Sequence, residues 1–259
     1  MYWRLGLLVS IAVLGYAQDP FEIQVFEYQP LRSGAFTYEE HLNYVAAGSS
    51  QFNGSAAPLQ GQLHASSEWT GGITEEIRAG FVVLTAFVPG YGMKYAGVRM
   101  LPHFYAPRSW GLPINLGFVA EFSFEKPLFD PDARQMELRG IVEKHVGRLQ
   151  MDGNLVFHSS LQGPGASRGW GVEPSARVGW QQWRALTPSV EYCSSASEHT
   201  HLVFPGGDWK IGERFTWSFG VGIGTADGSR EMVLKSRLEY EFGRKHDAST
   251  ASDRSLTAP

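Results

Sequence analysis

The feature that most constrains this fold is a series of segments, each about ten residues long, in which apolar and polar side chains alternate. In residues 112–124, apolar side chains take every second position, with Asn115, Glu121 and Ser123 between them. Successive strand side chains point to opposite faces, so each segment predicts a strand with one apolar and one polar face. The clearest examples are residues 112–124, 149–159, 170–180, 215–225 and 232–242. The chain is therefore predicted to be all-β.

Two architectures accommodate this alternation, because a soluble sandwich buries its apolar faces whereas a membrane barrel turns them towards lipid. From residue 35 onward we find about twelve segments, each long enough to cross a bilayer as a tilted strand. Tryptophans gather at one end of the proposed strands, as in the aromatic girdle of a membrane barrel. They are Trp69, Trp110, Trp180, Trp183, Trp209 and Trp217.

We therefore predict an antiparallel transmembrane β-barrel of about 12 strands that occupies residues 35–243. The alternative is a soluble exported sandwich, in which Trp183 and Val221 would be core residues.

Some segments fit a barrel poorly. Pro102, Pro174, Pro188 and Pro205 interrupt proposed strands, and a strand proline removes a ladder hydrogen bond. In residues 77–88 and 135–146 the alternation would direct Val82, Leu84 and Ile141 into a polar lumen.

The two ends of the chain predict an exported protein. Arg4, the apolar residues 5–14 and the small residues Gly15 and Ala17 match a signal peptide of residues 1–17. Residues 18–34 form an arm in the periplasm or the lumen, and residues 21–28 are compatible with a plug, an arm or an extra strand. Residues 244–259 are rich in Ser, Thr, Ala and charge, which predicts a disordered periplasmic tail. The single cysteine, Cys193, excludes an intramolecular disulfide.

Four stretches carry a resemblance to known proteins. The strand of residues 232–242 ends in Tyr240 and Phe242 and resembles the carboxy-terminal signal strand of bacterial outer-membrane β-barrels. Residues 69–77 (WTGGITEEI) are similar to a turn in a group of outer-membrane barrels labelled with the MetA pathway of phenol degradation, or as transporters. Residues 19–25 and 204–210 also resemble members of that group. The resemblance implies a location in the bacterial outer membrane, with lipid and the barrel-assembly machinery as partners.

Charged side chains follow the predicted polar faces and would line the barrel lumen. The candidate lumen residues are Arg99, Glu121, Arg139, Glu173, Arg177, Arg237 and Glu239. Rings of charge set ion preference in channels, so we predict a passive diffusion channel for small solutes. Acids outnumber bases on these faces, which predicts a weak cation preference. The same charges also suit a salt-bridged interior, so a plugged structural or interaction barrel remains an alternative.

Other motifs carry weaker signals for chemistry. His158 and Ser160 share a strand face, which leaves a lipid-modifying hydrolase open, but no third orienting group is identifiable. His199 and His201 lie in a loop that offers too few metal ligands. The net charge of -4 and the absence of a basic patch argue against a nucleic-acid partner. We therefore predict no enzymatic activity, no cofactor and no metal site, and the identity of the solute stays open.

Overall fold

The computed structural model describes residues 20–181, 183, 185–195, 200–226 and 229–243. The predicted signal peptide and the predicted tail lie outside this part of the chain. Within it the backbone forms twelve β-strands and a short 3-10 turn at Arg108–Trp110. The strands are β1 (Phe36–Ala47), β2 (Leu63–Gly72), β3 (Ile77–Val88), β4 (Gly92–Tyr105), β5 (Asn115–Glu125), β6 (Arg134–Val146), β7 (Leu149–Gln162), β8 (Gly171–Trp180), β9 (Leu186–Ser195), β10 (Thr200–Ile211), β11 (Phe215–Ala226) and β12 (Ser229–Phe242).

Each strand pairs antiparallel with its neighbours in sequence, and β1 pairs with β12 to close the barrel. Closure leaves no unpaired sheet edge, which is a condition for a sheet that crosses a membrane. The predicted fold class, an antiparallel barrel of 12 strands, is confirmed. Within the described ranges, no helix has the length and apolar character needed to span a membrane.

The outer face of the barrel is apolar. The outward-facing residues of the strands are exposed or half-buried, and many of them are large aliphatic or aromatic side chains, such as Phe81, Phe118 and Phe157. Trp183 and Val221 are 58% and 39% exposed, so neither is a core residue. The sandwich alternative is therefore wrong, because the sheet closes on itself and turns its apolar faces outward.

The predicted cluster of tryptophans corresponds to one end of the barrel. The six residues lie at or near the β2–β3, β4–β5, β8–β9 and β10–β11 connections. Successive connections of an up-and-down barrel alternate between its two ends, so these four connections share one end, which we call the tryptophan end. The opposite end, formed by the β1–β2, β3–β4, β5–β6, β7–β8, β9–β10 and β11–β12 connections, is called the loop end. Trp209 and Trp217 contact each other at the tryptophan end, with ring centroids 6.2 Å apart.

The four prolines all lie inside strands. The β4–β5 ladder passes from Met100 to His103 without pairing at Pro102. The β10–β11 ladder passes from Val203 to Gly206 without pairing at Pro205. The barrel therefore accommodates Pro102 and Pro205 as local interruptions of a ladder, whereas Pro174 and Pro188 lie just beyond the two ends of the β8–β9 ladder.

Candidate functional site

The lumen of the barrel contains the beginning of the described chain. Residues 20–34, which we call the arm, belong to no strand, yet Phe21, Ile23, Val25, Phe26 and Tyr28 are all buried. The last residue of the arm lies at the tryptophan end, where the backbone N–H of residue 34 donates to the carbonyl of residue 72 at 2.9 Å. The first residues of the arm lie at the loop end, where the ring of residue 21 contacts that of residue 129, with centroids 5.7 Å apart. The arm therefore occupies the lumen along the barrel axis.

Lumen side chains satisfy the backbone of the arm. Asn154 on β7 accepts a hydrogen bond from the N–H of Phe26 at 2.7 Å and donates one to its carbonyl at 2.9 Å. This reciprocal pair imitates the backbone pairing of a neighbouring strand. Further hydrogen bonds to backbone groups of the arm are made by the side chains of Asn43, Ser66, Arg78, Glu143, Glu191 and Lys235. These residues belong to six different strands, so the arm is held from around the wall of the barrel.

One part of the lumen wall is apolar and receives the arm's aromatic side chains. Val82, Leu84, Leu101 and Ile141 are fully or almost fully buried on the inner face of β3, β4 and β6. They form one cluster with the arm residues Phe21, Phe26 and Tyr28. The poor alternation of residues 77–88 and 135–146 therefore has a physical reason, since these strands are apolar on both faces where they contact the arm. Burial of such side chains contributes roughly 1.5–3 kcal/mol each.

The four predicted lumen arginines all contact the arm. Arg99 lies 3.6 Å from the carboxylate of Glu22, and Arg177 lies 3.6 Å from that of Glu27. Arg237 donates to the side-chain oxygen of Gln24 at 2.7 Å, and the guanidinium carbon of Arg139 lies 4.1 Å from the ring centroid of Phe26. The predicted basic residues are thus lumen residues, but in this structure they bind the arm.

The three predicted lumen glutamates occupy different surroundings. Glu121 pairs with Arg99, with a distance of 3.3 Å between Oε1 and Nε. Glu173 lies 3.5 Å from the Nδ1 atom of His158. Glu239 stands directly opposite Glu39 in the β1–β12 ladder. The seven predicted lumen residues therefore face inward, although they do not form a single ring.

Sequence reasoning missed Asp208, which forms an ion pair with Arg177. Arg177 also contacts Asp152 at 3.1 Å, so three acids, counting Glu27, surround one guanidinium. The alternation of β10 was the signal available for Asp208, because it shares a face with the buried Leu202 and Phe204. A small cavity remains between the arm and this side of the wall, lined by Gln24, Glu27, His41, Arg177, Asp208, Lys235 and Arg237 among others.

Connections at the loop end contact one another. The N–H of Ala57 donates to the carbonyl of Leu128 at 2.8 Å, which joins the β1–β2 and β5–β6 connections. The Asp132 carboxylate accepts hydrogen bonds from the N–H of Gly165, at 2.8 Å, and from the hydroxyl of Ser160. These contacts link the connections of the loop end to one another.

The structure also shows which partners the residues of the two weaker sequence motifs contact. Ser160 contacts Asp132, whereas His158 contacts Glu173, so these residues engage different partners and do not assemble a nucleophile and its base. In the other motif, His199 lies outside the described residues. His201 belongs to β10 and not to a loop, and its Nδ1 atom lies 2.8 Å from the hydroxyl of Tyr192.

Comparison with known proteins identifies the class of fold. No protein-family model and no curated protein matches the chain. The structure is similar to the crystal structure of an outer-membrane channel from Pseudomonas putida F1, with a TM-score of 0.51 and 11% identity over 85% of this chain and 100% of that chain. It is also similar to the KdgM porin, with a TM-score of 0.50 and 11% identity over 80% of this chain and 99% of that chain. The chain thus has the fold of a closed antiparallel barrel that these two proteins share.

Proposed function

We propose that the protein is a bacterial outer-membrane channel for small solutes whose lumen is closed by its own arm. The observation that carries this proposal is the arm itself, since a buried segment whose backbone is hydrogen-bonded to lumen side chains occupies the path a solute would follow. Solutes would cross by passive diffusion when the arm leaves the lumen.

The outer surface supports the membrane location. Apolar side chains cover the strands, and tryptophans gather at one end, which is the pattern of a barrel wall in lipid. Similarity to two proteins named as an outer-membrane channel and a porin supports the same proposal. Outer-membrane lipid and the barrel-assembly machinery would then be its partners. Membership of the group labelled with the MetA pathway stays a prediction that rests on residues 19–25, 69–77 and 204–210.

Charge lining the lumen would filter the solute. If the arm leaves, Arg99, Arg139, Arg177 and Arg237 lose their arm contacts and face water together with the lumen acids. Inward-facing acids outnumber inward-facing bases on the described strands, so we expect a weak preference for cations.

Single-channel conductance in planar bilayers tests this proposal. We compare the mature chain with a variant that lacks residues 18–30, and deletion of residues 244–259 is the control. Removal of the arm is expected to give larger or longer-lived conductance steps, whereas the control behaves like the mature chain. A folded arm-deleted barrel that gives no steps would contradict the channel.

A second candidate is a structural or interaction barrel that never opens. The extent of the arm's contacts favours it, because apolar packing, ion pairs and backbone hydrogen bonds all hold the same segment. It predicts no conductance from the mature chain under any applied voltage. The bilayer experiment therefore separates the two candidates.

A further inference from the structure

Three side chains with metal-binding atoms meet on the inner wall, close to the tryptophan end. Glu39 and His41 are two residues apart on β1 and therefore share its inner face. Glu68 on β2 is the direct cross-strand partner of Glu39. The three residues are 4%, 2% and 3% exposed, and one ligand atom from each lies within 4.8 Å of the others. We call this group the Glu39–His41–Glu68 cluster.

The imidazole of His41 supplies the second observation. Its Nε2 atom is buried and has no hydrogen-bond partner among the described residues. It lies 3.7 Å from the Oε2 atom of Glu39, which is too far for a hydrogen bond. Zinc bonds of roughly 2.0–2.1 Å place two tetrahedral ligand atoms about 3.3 Å apart. Small side-chain rotations would therefore bring these atoms around one ion, and the ion would satisfy the nitrogen.

The charges around the cluster favour a cation. Glu239 on β12 stands opposite Glu39 on the other side, so three carboxylates occupy one level of three adjacent strands. Like charges directly opposite each other destabilise a sheet. The neighbouring guanidinium groups are those of Arg237 and Arg78. Both guanidinium groups donate hydrogen bonds to the arm, and the ammonium of Lys235 near His41 forms its own ion pair with Glu191, so two cations face the three carboxylates.

We propose that the Glu39–His41–Glu68 cluster binds one divalent transition-metal cation, with Zn²⁺ as its representative. One imidazole and two carboxylates form a nitrogen and oxygen ligand set that Zn²⁺ accepts, and water would complete the coordination. The ion would link β1 to β2 inside the lumen and offset the excess negative charge. The site is independent of whether the barrel conducts solutes.

Calorimetric titration of Zn²⁺ into the full mature chain, stripped of metal by a chelator and held in detergent, tests the proposal. We expect about one Zn²⁺ per barrel, as the ligand count implies. His41→Asn and Glu68→Gln should each weaken the affinity by about tenfold or more. His103→Asn is the matched control, since His103 is an equally buried lumen histidine outside the cluster.

A His199→Ala/His201→Ala variant tests binding at the predicted loop motif instead. Each variant is first shown to fold by its heat-modifiable migration on SDS gels. X-ray absorption of the zinc-loaded wild-type barrel provides a readout without any substitution, and it should show one imidazole among oxygen ligands. Absence of zinc binding, unchanged affinity in a folded Glu68→Gln barrel, loss of binding in the loop variant, or a spectrum without a single imidazole would each overturn the proposal.

Discussion

Replacing Asn154 with alanine should release the arm without weakening the barrel wall. The Asn154 side chain faces the lumen, and it forms reciprocal hydrogen bonds of 2.7 and 2.9 Å with the backbone of Phe26 in the central part of the arm. Alanine leaves a buried N–H and a buried carbonyl unpaired, each of which costs about 1–3 kcal/mol. Allowing for partial rescue by water, we expect the bound arm to lose about 2–4 kcal/mol.

That loss of binding free energy raises the fraction of barrels in which the arm is displaced from the lumen. Because about 1.4 kcal/mol is a factor of ten, the displaced arm should become about 30- to 700-fold more populated. The assay is maleimide labelling of a Val25→Cys thiol in a Cys193→Ala background, since both native side chains are buried. A thiol at position 25 reacts when the arm leaves the lumen, so its labelling rate follows the displaced population.

Gln135→Ala is the matched control for this measurement. It also removes an amide, but the amide of Gln135 donates to Asp130 and Asp132 at the loop end and not to the arm. We expect the control to label at the rate of the parent chain. Equal labelling rates in the Asn154→Ala and Gln135→Ala barrels would refute the view that lumen side chains hold the arm.

Three further predictions concern the arm and the lumen. Arg177→Gln should destabilise the barrel by about 3–5 kcal/mol, because it leaves Asp152, Glu27 and Asp208 without their shared cation. The urea dependence of heat-modifiable migration measures this loss of stability, and replacement of the exposed Arg108 with glutamine should change the stability little. Gly72→Ala should raise the labelling rate at position 25, since a Cβ at position 72 would lie 2.1 Å from the carbonyl oxygen of Arg32. A Cβ at position 153 would meet no atom within 4 Å, so Gly153→Ala should leave the labelling rate unchanged. In the arm-deleted barrel, reversal potentials across a salt gradient should show a weak cation preference, and a preference for anions would contradict the proposed lumen charge.

Local pattern was sufficient to predict the strands. The period of two in residues 149–159, 170–180 and 215–225 anticipated β7, β8 and β11 closely, because alternation reflects a property of each strand and its two environments. The same pattern placed Arg99, Arg177 and Arg237 on the inner face. It predicted the barrel because lipid on one side and a polar interior on the other impose the same alternation on every strand.

The alternation of apolar and polar residues fitted the predicted barrel poorly where the inner wall is apolar. Val82, Leu84 and Ile141 looked like errors of alternation, yet they pack against aromatic side chains of the arm. The arm's aromatic residues Phe21, Phe26 and Tyr28 lie more than fifty residues before these positions in sequence, and no local signal links the two groups. Contacts of that kind depend on closure of the barrel, which creates an enclosed volume that only the whole fold defines.

The sequence by itself therefore determined the all-β class, the approximate number of strands, and which side chains face inward. Only the tertiary structure decided what those inward side chains contact, because register and closure bring distant strands around one segment. Arg99, Arg139, Arg177 and Arg237 are lumen residues by alternation alone, but they are arm-binding residues because residues 20–34 lie inside the barrel. The Glu39–His41–Glu68 cluster has the same origin, since the register of β1 against β2 places Glu68 opposite Glu39.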